Sequence, residues 1–229
     1  MAHEPEESES GSPIYRHEPR EKPFEPAEGD PLAIQQISHH IERFVGPVNT
    51  VLHELVSDLV HVDIHLVEPT ADRPYFSLVT SGMSDRPMNV PDGAEDCRHA
   101  ELVVALPPDW PMKQDAWHDE NHYWPIRWLK MLARLPHEYD TWLWYGHTVP
   151  NGDPAQPFAP STKFCGMLLA PPVLYDPKFS NLAVHDDKVI HFLALVPLFR
   201  DEMELKLRDG AAALYARFDK YNINELIDL

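Results

Sequence analysis

Two cysteines, Cys97 and Cys165, are all that 229 residues contain. Two distant thiols make neither a disulfide framework nor a metal-type Cys pair. The nine glycines are scattered singly, and a phosphate-cradling loop needs them clustered. Bases are scarce: 19 Lys and Arg stand against 37 Asp and Glu, a formal charge of −18. Phosphate backbones and anionic lipid surfaces both require Lys and Arg to replace their counterions. Nucleic acid and membrane are therefore not expected partners. A signal-peptide core and long apolar runs are also missing, so the expected location is cytoplasmic.

Other features are plentiful. Apolar residues make up 43% of the chain, enough for a real core. The 24 prolines imply many loops and short elements rather than a helical bundle. Residues 1–29 are acidic, proline-rich and poor in apolar side chains, a composition that cannot offset its own ordering entropy. This reads as a disordered tail, with residues 30–229 as one folded domain.

Within that domain, Asp30-Pro31 predicts a helix start. Ile34, Ile37, Ile41 and Phe44 recur at helical spacing until Gly46-Pro47. Strands are predicted over 51–56, 62–67, 75–81 and 100–106. Val62, Ile64 and Leu66 alternate with Asp63 and His65, the period of a half-buried strand. A helix is expected from about Pro125 to Pro136, burying Trp128, Met131, Leu132 and Leu135. Further strands are expected over 141–147 and 163–170, and a hairpin joins 182–184 to 189–196 around His185-Asp186-Asp187. Helices follow over 200–208, with Met203 and Leu207 inward, and over 211–220. Short links favour antiparallel pairing. The predicted class is α+β, a mainly antiparallel or mixed sheet flanked by helices.

The ordered set His61-Val62-Asp63-Ile64, Leu78-Val79-Thr80-Ser81-Gly82-Met83-Ser84-Asp85, Leu106-Pro107-Pro108-Asp109-Trp110, Trp124-Pro125-Ile126, Leu132-Ala133-Arg134-Leu135-Pro136, Gly146-His147-Thr148 and Phe192-Leu193-Ala194-Leu195-Val196-Pro197 resembles the Suppressor of fused (SUFU) domain family in its bacterial single-domain form. The resemblance implies a SUFU-like single domain without a catalytic centre or cofactor. Animal members act as scaffolds that bind a partner peptide between two domains, and this chain resembles only the first. Bacterial members look like immunity proteins of toxin systems. An acidic protein capping a basic toxin suits the charge, since complementarity speeds encounter. The oligomeric state stays open.

Candidate sites are few. His61, Asp63 and His65 share one face of a predicted strand, and such a set can hold zinc; alternation alone also predicts a solvent-facing polar side. His118 and His122 stand four apart, but Asp119 occupies the place of the Glu in His-Glu-x-x-His. These two sets support the alternative of a metal-dependent hydrolase. Gly82-Met83-Ser84-Asp85 lacks the second glycine of a nucleophile elbow, since Arg86 stands there. Cys165 lies in an apolar stretch and reads as a buried small hydrophobe. No residue is assigned a catalytic or metal-binding role. All six tryptophans fall between Trp110 and Trp144. Trp and Tyr anchor protein interfaces, so Trp110, Asp115, Trp117, Asp119 and Glu120 form the expected partner-binding set, beside the proline-rich loop over 148–160.

Overall fold

The computed structural model describes residues 6–18, 20, 23–185 and 187–227. After a two-stranded ribbon, β1 (Glu6–Glu7) with β2 (Pro13–Ile14), comes helix α1 (Pro31–Phe44). Strands β3 (Thr50–Leu52), β4 (Asp63–Val67), β5 (Phe76–Ser81) and β6 (Ala100–Leu106) then form an antiparallel meander. Helix α2 (Glu120–Glu138) leads to β7 (Thr148–Pro150), β8 (Gly166–Ala170), β9 (Asn181–His185) and β10 (Lys188–Leu198). Helices α3 (Arg200–Asp209) and α4 (Ala211–Tyr221) follow.

The main sheet runs β3-β4-β5-β6-β10-β8-β7. Strand β10 is its keystone. It pairs parallel with β6 through His191 to Ala194. Its other edge is antiparallel first to β9, then to β8. The antiparallel expectation thus holds for every pair but one.

Alternation along the strands builds two faces. Ile64, Leu66, Leu78, Leu102, Val104, Leu193 and Leu195 pack beneath α2. Val67, Val79, Val103, Phe192 and Ala194 pack beneath α1, through Ile37 and Ile41. Farther along the α1 face, Leu168, Ala170, Val196 and Leu198 meet Leu214 and Phe218 of α4. The sheet is therefore a middle layer, buried on both sides.

Several expectations need correction. The segment over 51–56 is a strand only for Thr50–Leu52, because the chain then turns to bring Glu54 toward α2. Residues 141–147 form no strand: turns fold Trp142, Trp144 and Tyr145 against the core, and β7 starts only at Thr148. The strand over 163–170 begins at Gly166, since Phe164 and Cys165 spend backbone bonds on Phe158 and Asn151. Helix α2 starts five residues before Pro125, on the Asp119 N-cap, and carries both Pro125 and Pro136 inside it. Met131 is exposed rather than buried. In α3, Leu207 is exposed, while Glu202 and Lys206 are buried. Glu202 bends back to accept a hydrogen bond from the Phe199 N–H at 2.9 Å. In the predicted hairpin, Asp186 lies outside the described residues.

The tail differs most. Residues 1–5, 19, 21 and 22 lie outside the described set, but the remainder includes the short strands β1 and β2 and makes contacts with the domain. Ser10 donates its N–H to the Leu207 carbonyl at 3.0 Å. Arg20 pairs with Asp58 at 2.8 Å, and Asp58 also accepts from the Glu25 N–H at 2.8 Å. Polar bonds, not apolar burial, hold this strap, so hydrophobicity carried no sign of it.

Candidate functional site

The aromatic segment is organised by α2. Trp124 and Trp128 point into the sheet and are fully buried. Phe158 inserts beside them, with ring centroids 5.0 Å from Trp124 and 4.5 Å from Trp128. Ser161 N–H donates to Asn121 at 3.0 Å, and Arg127 donates to the Phe158 carbonyl at 3.3 Å. The two loop segments over 109–123 and 148–160 are thus brought to one side of the molecule, as an interface there requires.

Within that side the five expected residues separate. Trp110 does not reach the surface: it is 7% exposed. Its indole N–H donates to the His122 carbonyl at 3.1 Å, and its ring stands edge-on to Trp124. Its place is the core. Trp117, in the one-turn helix Gln114–His118, is half-buried over the same core. Its indole nitrogen is buried without a hydrogen-bond partner among the described residues. Asp115 is exposed on that same turn. Asp119 is exposed and caps α2, accepting from the Asn121 N–H at 2.9 Å. Glu120 pairs with Arg127 at 2.6 Å.

The histidine sets do not assemble. His118 ends the one-turn helix, whereas His122 lies within α2, 3.7 Å from the Asp119 carboxylate. Asp63 and His65 are buried, not solvent-facing; the segment after β3 folds over Asp63, which accepts from the Glu54 N–H at 3.2 Å. Asp63 lies between two imidazoles, with His53 Nδ1 at 2.8 Å and His61 Nε2 at 3.0 Å. His65 Nε2 meets Ser81 Oγ at 2.9 Å, and its Nδ1 has no partner among the described residues. Burial pushes the His65 pKa down to about 4, so the ring is neutral at pH 7. No group of three or more His, Cys, Asp or Glu side chains is placed to share a metal ion among the described residues.

One chain of bonds has catalytic form. Ser57 Oγ lies 2.8 Å from His61 Nδ1, and His61 Nε2 faces Asp63, a hydroxyl–imidazole–carboxylate order. Ser57 is also 2.9 Å from the Glu54 carboxylate, and it is buried. Neither of the two described cavities includes it. Arg134 and Lys130 of α2 hold Glu54 from the other side. The network ties the turn after β3 to α2, a structural task.

The Gly82-Met83-Ser84-Asp85 motif has its own explanation. Gly82 has φ +103°, and a Cβ there would lie 1.7 Å from the His61 carbonyl oxygen, so only glycine fits. The turn wraps Glu101, fully buried in β6. One Glu101 oxygen accepts from the Gly82 N–H, the Ser84 N–H and the Ser84 hydroxyl, at 2.9, 3.0 and 2.7 Å. The other accepts from the Thr80 hydroxyl at 2.6 Å. Burial raises the Glu101 pKa against these bonds. Ser84 is thereby locked as a donor rather than freed as a nucleophile. A lone carboxylate heading the apolar run 102–106 was the available signal for this cluster. Cys165 is buried, and burial pushes its thiol pKa up.

Comparison with known proteins agrees with this architecture. A sequence model of the Suppressor of fused protein (SUFU) family matches residues 58–229. No curated protein matches the chain. Among solved structures, a SUFU homologue from Neisseria gonorrhoeae superposes with a TM-score of 0.60 at 18% identity, covering 85% of this chain and 93% of that one. The structure described as the Sufu–Fu complex gives 0.53 at 16% identity, with 90% and 100% covered. Drosophila Suppressor of Fused gives 0.52 at 17% identity over 77% of this chain, but only 44% of the fly protein. No helix among the described residues is long and apolar enough to cross a membrane. With a family match over three-quarters of its length and the same fold as these structures, the chain belongs to the Suppressor of fused family.

Proposed function

We propose that this chain is a non-catalytic protein-binding domain of the SUFU type, which docks a basic protein, such as a toxin it neutralises, on the side formed by residues 109–123 and 148–160. The observation that carries this reading is the rim at the start of α2. Exposed Asp115 and Asp119 flank half-buried Trp117, whose indole N–H is unpaired among the described residues. Indole supplies large contact area at low entropy cost. Net charge −18 steers basic surfaces toward such a rim. Trp110, Trp124 and Phe158 lie beneath it as a stiff support. Family membership supports the reading, as does a structural neighbour described as a complex of Sufu with Fu.

The test begins with a pull-down and mass spectrometry, followed by titration of the captured protein. Trp117→Ala should weaken binding by roughly 2 kcal/mol or more, as hot-spot truncations do. Asp115→Asn and Asp119→Asn should mainly slow association and flatten its salt dependence. Asparagine still caps a helix, so Asp119→Asn leaves α2 intact. Glu42→Gln is the control, being exposed on α1 across the sheet. Equal affinity in all three rim variants, with folding intact, sinks the proposal.

A further inference from the structure

A cavity of about 520 Å³ opens between the turn after β5 and the C-terminal end of α2. That volume suits a small molecule. Arg86 and Arg98 are among the residues that line it, as are His137 and Asp140. Pro87, Met88 and Pro136 supply an apolar side. In a chain carrying 37 acids against 19 bases, two arginines lining one hollow is notable use of a scarce charge.

One of them already holds a carboxylate. Glu25 of the strap lies 2.5 Å from Arg86, and both side chains are partly exposed. The Glu25 backbone is fixed on both sides: its N–H donates to Asp58 at 2.8 Å, and its carbonyl accepts from the Leu59 N–H at 2.9 Å. Arg20 braces Asp58 in turn. The Glu25 carboxylate is thus presented to Arg86 on a rigid backbone, while Arg98, also a lining residue, is exposed. Glu95 lies close to Arg98, and Asp140 faces the hollow, so the lining is balanced rather than strongly cationic.

We propose that this cavity binds a small oxyanion ligand, a carboxylate or a phosphate, between Arg86 and Arg98, with Glu25 acting as a built-in competitor for Arg86. Guanidinium forks match both anions, and the bonds are charge-assisted. The apolar wall favours a ligand with a short hydrocarbon part. Entry of a ligand releases Glu25 and loosens the strap between Arg20 and α1. The site lies apart from the Trp117 rim, so its failure would leave the protein-binding proposal untouched.

The experiment is calorimetric titration of the full chain with succinate and, separately, with inorganic phosphate. Saturable binding of succinate alone assigns a carboxylate ligand, and of phosphate alone a phosphoryl one. Glu25→Gln should tighten whichever anion binds, by roughly fivefold to tenfold, because the competitor is gone. Arg98→Gln, at an exposed position that leaves the fold alone, should weaken it by roughly tenfold or more. Arg86→Gln should weaken it similarly, and it also frees the strap. No binding of either anion to the native chain and the Glu25→Gln variant overturns the proposal. Binding that persists unchanged in Arg98→Gln, or that Glu25→Gln does not strengthen, overturns it equally.

Discussion

The two faces of the sheet solve burial in different ways. Beneath α2 the core is aromatic: Trp124, Trp128 and Phe158 interlock, and the indole nitrogens of both tryptophans go without hydrogen bonds among the described residues. Beneath α1 the core is threaded with polar groups, several of which find partners, though His65 Nδ1 and one Glu225 oxygen do not among the described residues. Tyr175 donates to Ser77 at 3.0 Å, Tyr75 to the Leu174 carbonyl at 3.0 Å, and His40 meets the Phe179 carbonyl at 2.9 Å. One face derives its stability from shape and area, tolerating unpaired donors. The other derives specificity from bonds that only one register satisfies. The candidate interface lies on the first, where a stiff aromatic base supports an acidic rim.

This contrast can be broken at graded cost. Trp124→Ala attacks the aromatic face directly and should lower stability by about 3–5 kcal/mol, read from urea denaturation midpoints. Trp124→Phe should recover much of this, since the indole N–H it removes had no partner among the described residues. Glu101→Ala strands the Gly82 and Ser84 donors in the interior and should cost on the order of 3 kcal/mol in the same measurement. Glu101→Gln should be milder, because an amide still accepts at one position and Thr80 can turn its hydroxyl toward the Leu102 carbonyl at 3.5 Å.

The polar face should also respond to acid. His65 has a folded pKa of about 4 against 6.5 for a free imidazole. A depressed folded pKa means the unfolded chain takes up the proton first, so stability is present above pH 6.5 and falls as pH drops toward 4. The full loss is about 3 kcal/mol at most. His147, likewise pushed down to about 4, chiefly by burial, acts in the same direction. Glu101 and Glu225, both raised by burial, act in the opposite sense and weaken the fold as pH rises through their pKa values. Denaturation midpoints across pH 7 to 4 check this, and replacing His65 by Asn should flatten the slope. The smallest expected effect is at the edge: Asp30→Ala removes the α1 cap bond to the Leu32 N–H and should cost about 1 kcal/mol.

Most of the architecture was readable because it rests on periodicity. The α1 start at Asp30-Pro31, β6 over 100–106 and the β9–β10 hairpin all follow from local pattern and punctuation. What escaped depends on tertiary partners. Asp63 and His65 alternate with apolar residues as an exposed side would, yet both are buried, Asp63 against His53, Glu54 and His61. Residues 141–147 carry β-type aromatics, but the core takes those rings from a turn. The strap is invisible to hydrophobicity because Arg20, Glu25 and Asp58 hold it by charge. At the candidate site, the clustering of tryptophans was legible, and so was the proximity of the two loops. The depth of Trp110 was not, since only three-dimensional packing distinguishes it from Trp117.

The place of β10 has a consequence for how the chain comes into being. The β3–β6 meander is made of neighbours in sequence and can assemble early. Its inner strand, β6, nevertheless waits for a parallel partner that begins only at Lys188. During synthesis, everything from α2 to β9 emerges while the apolar run Leu102 to Leu106 has one edge open. That interval is when the nascent protein is most exposed to mispairing with its own copies. Strand β10 closes β6 over Ala100–Val103 and joins β8 and β9 to the sheet, and the segment Glu225–Ile227 then covers β6 at Ala105, so the open edge is removed in two late steps.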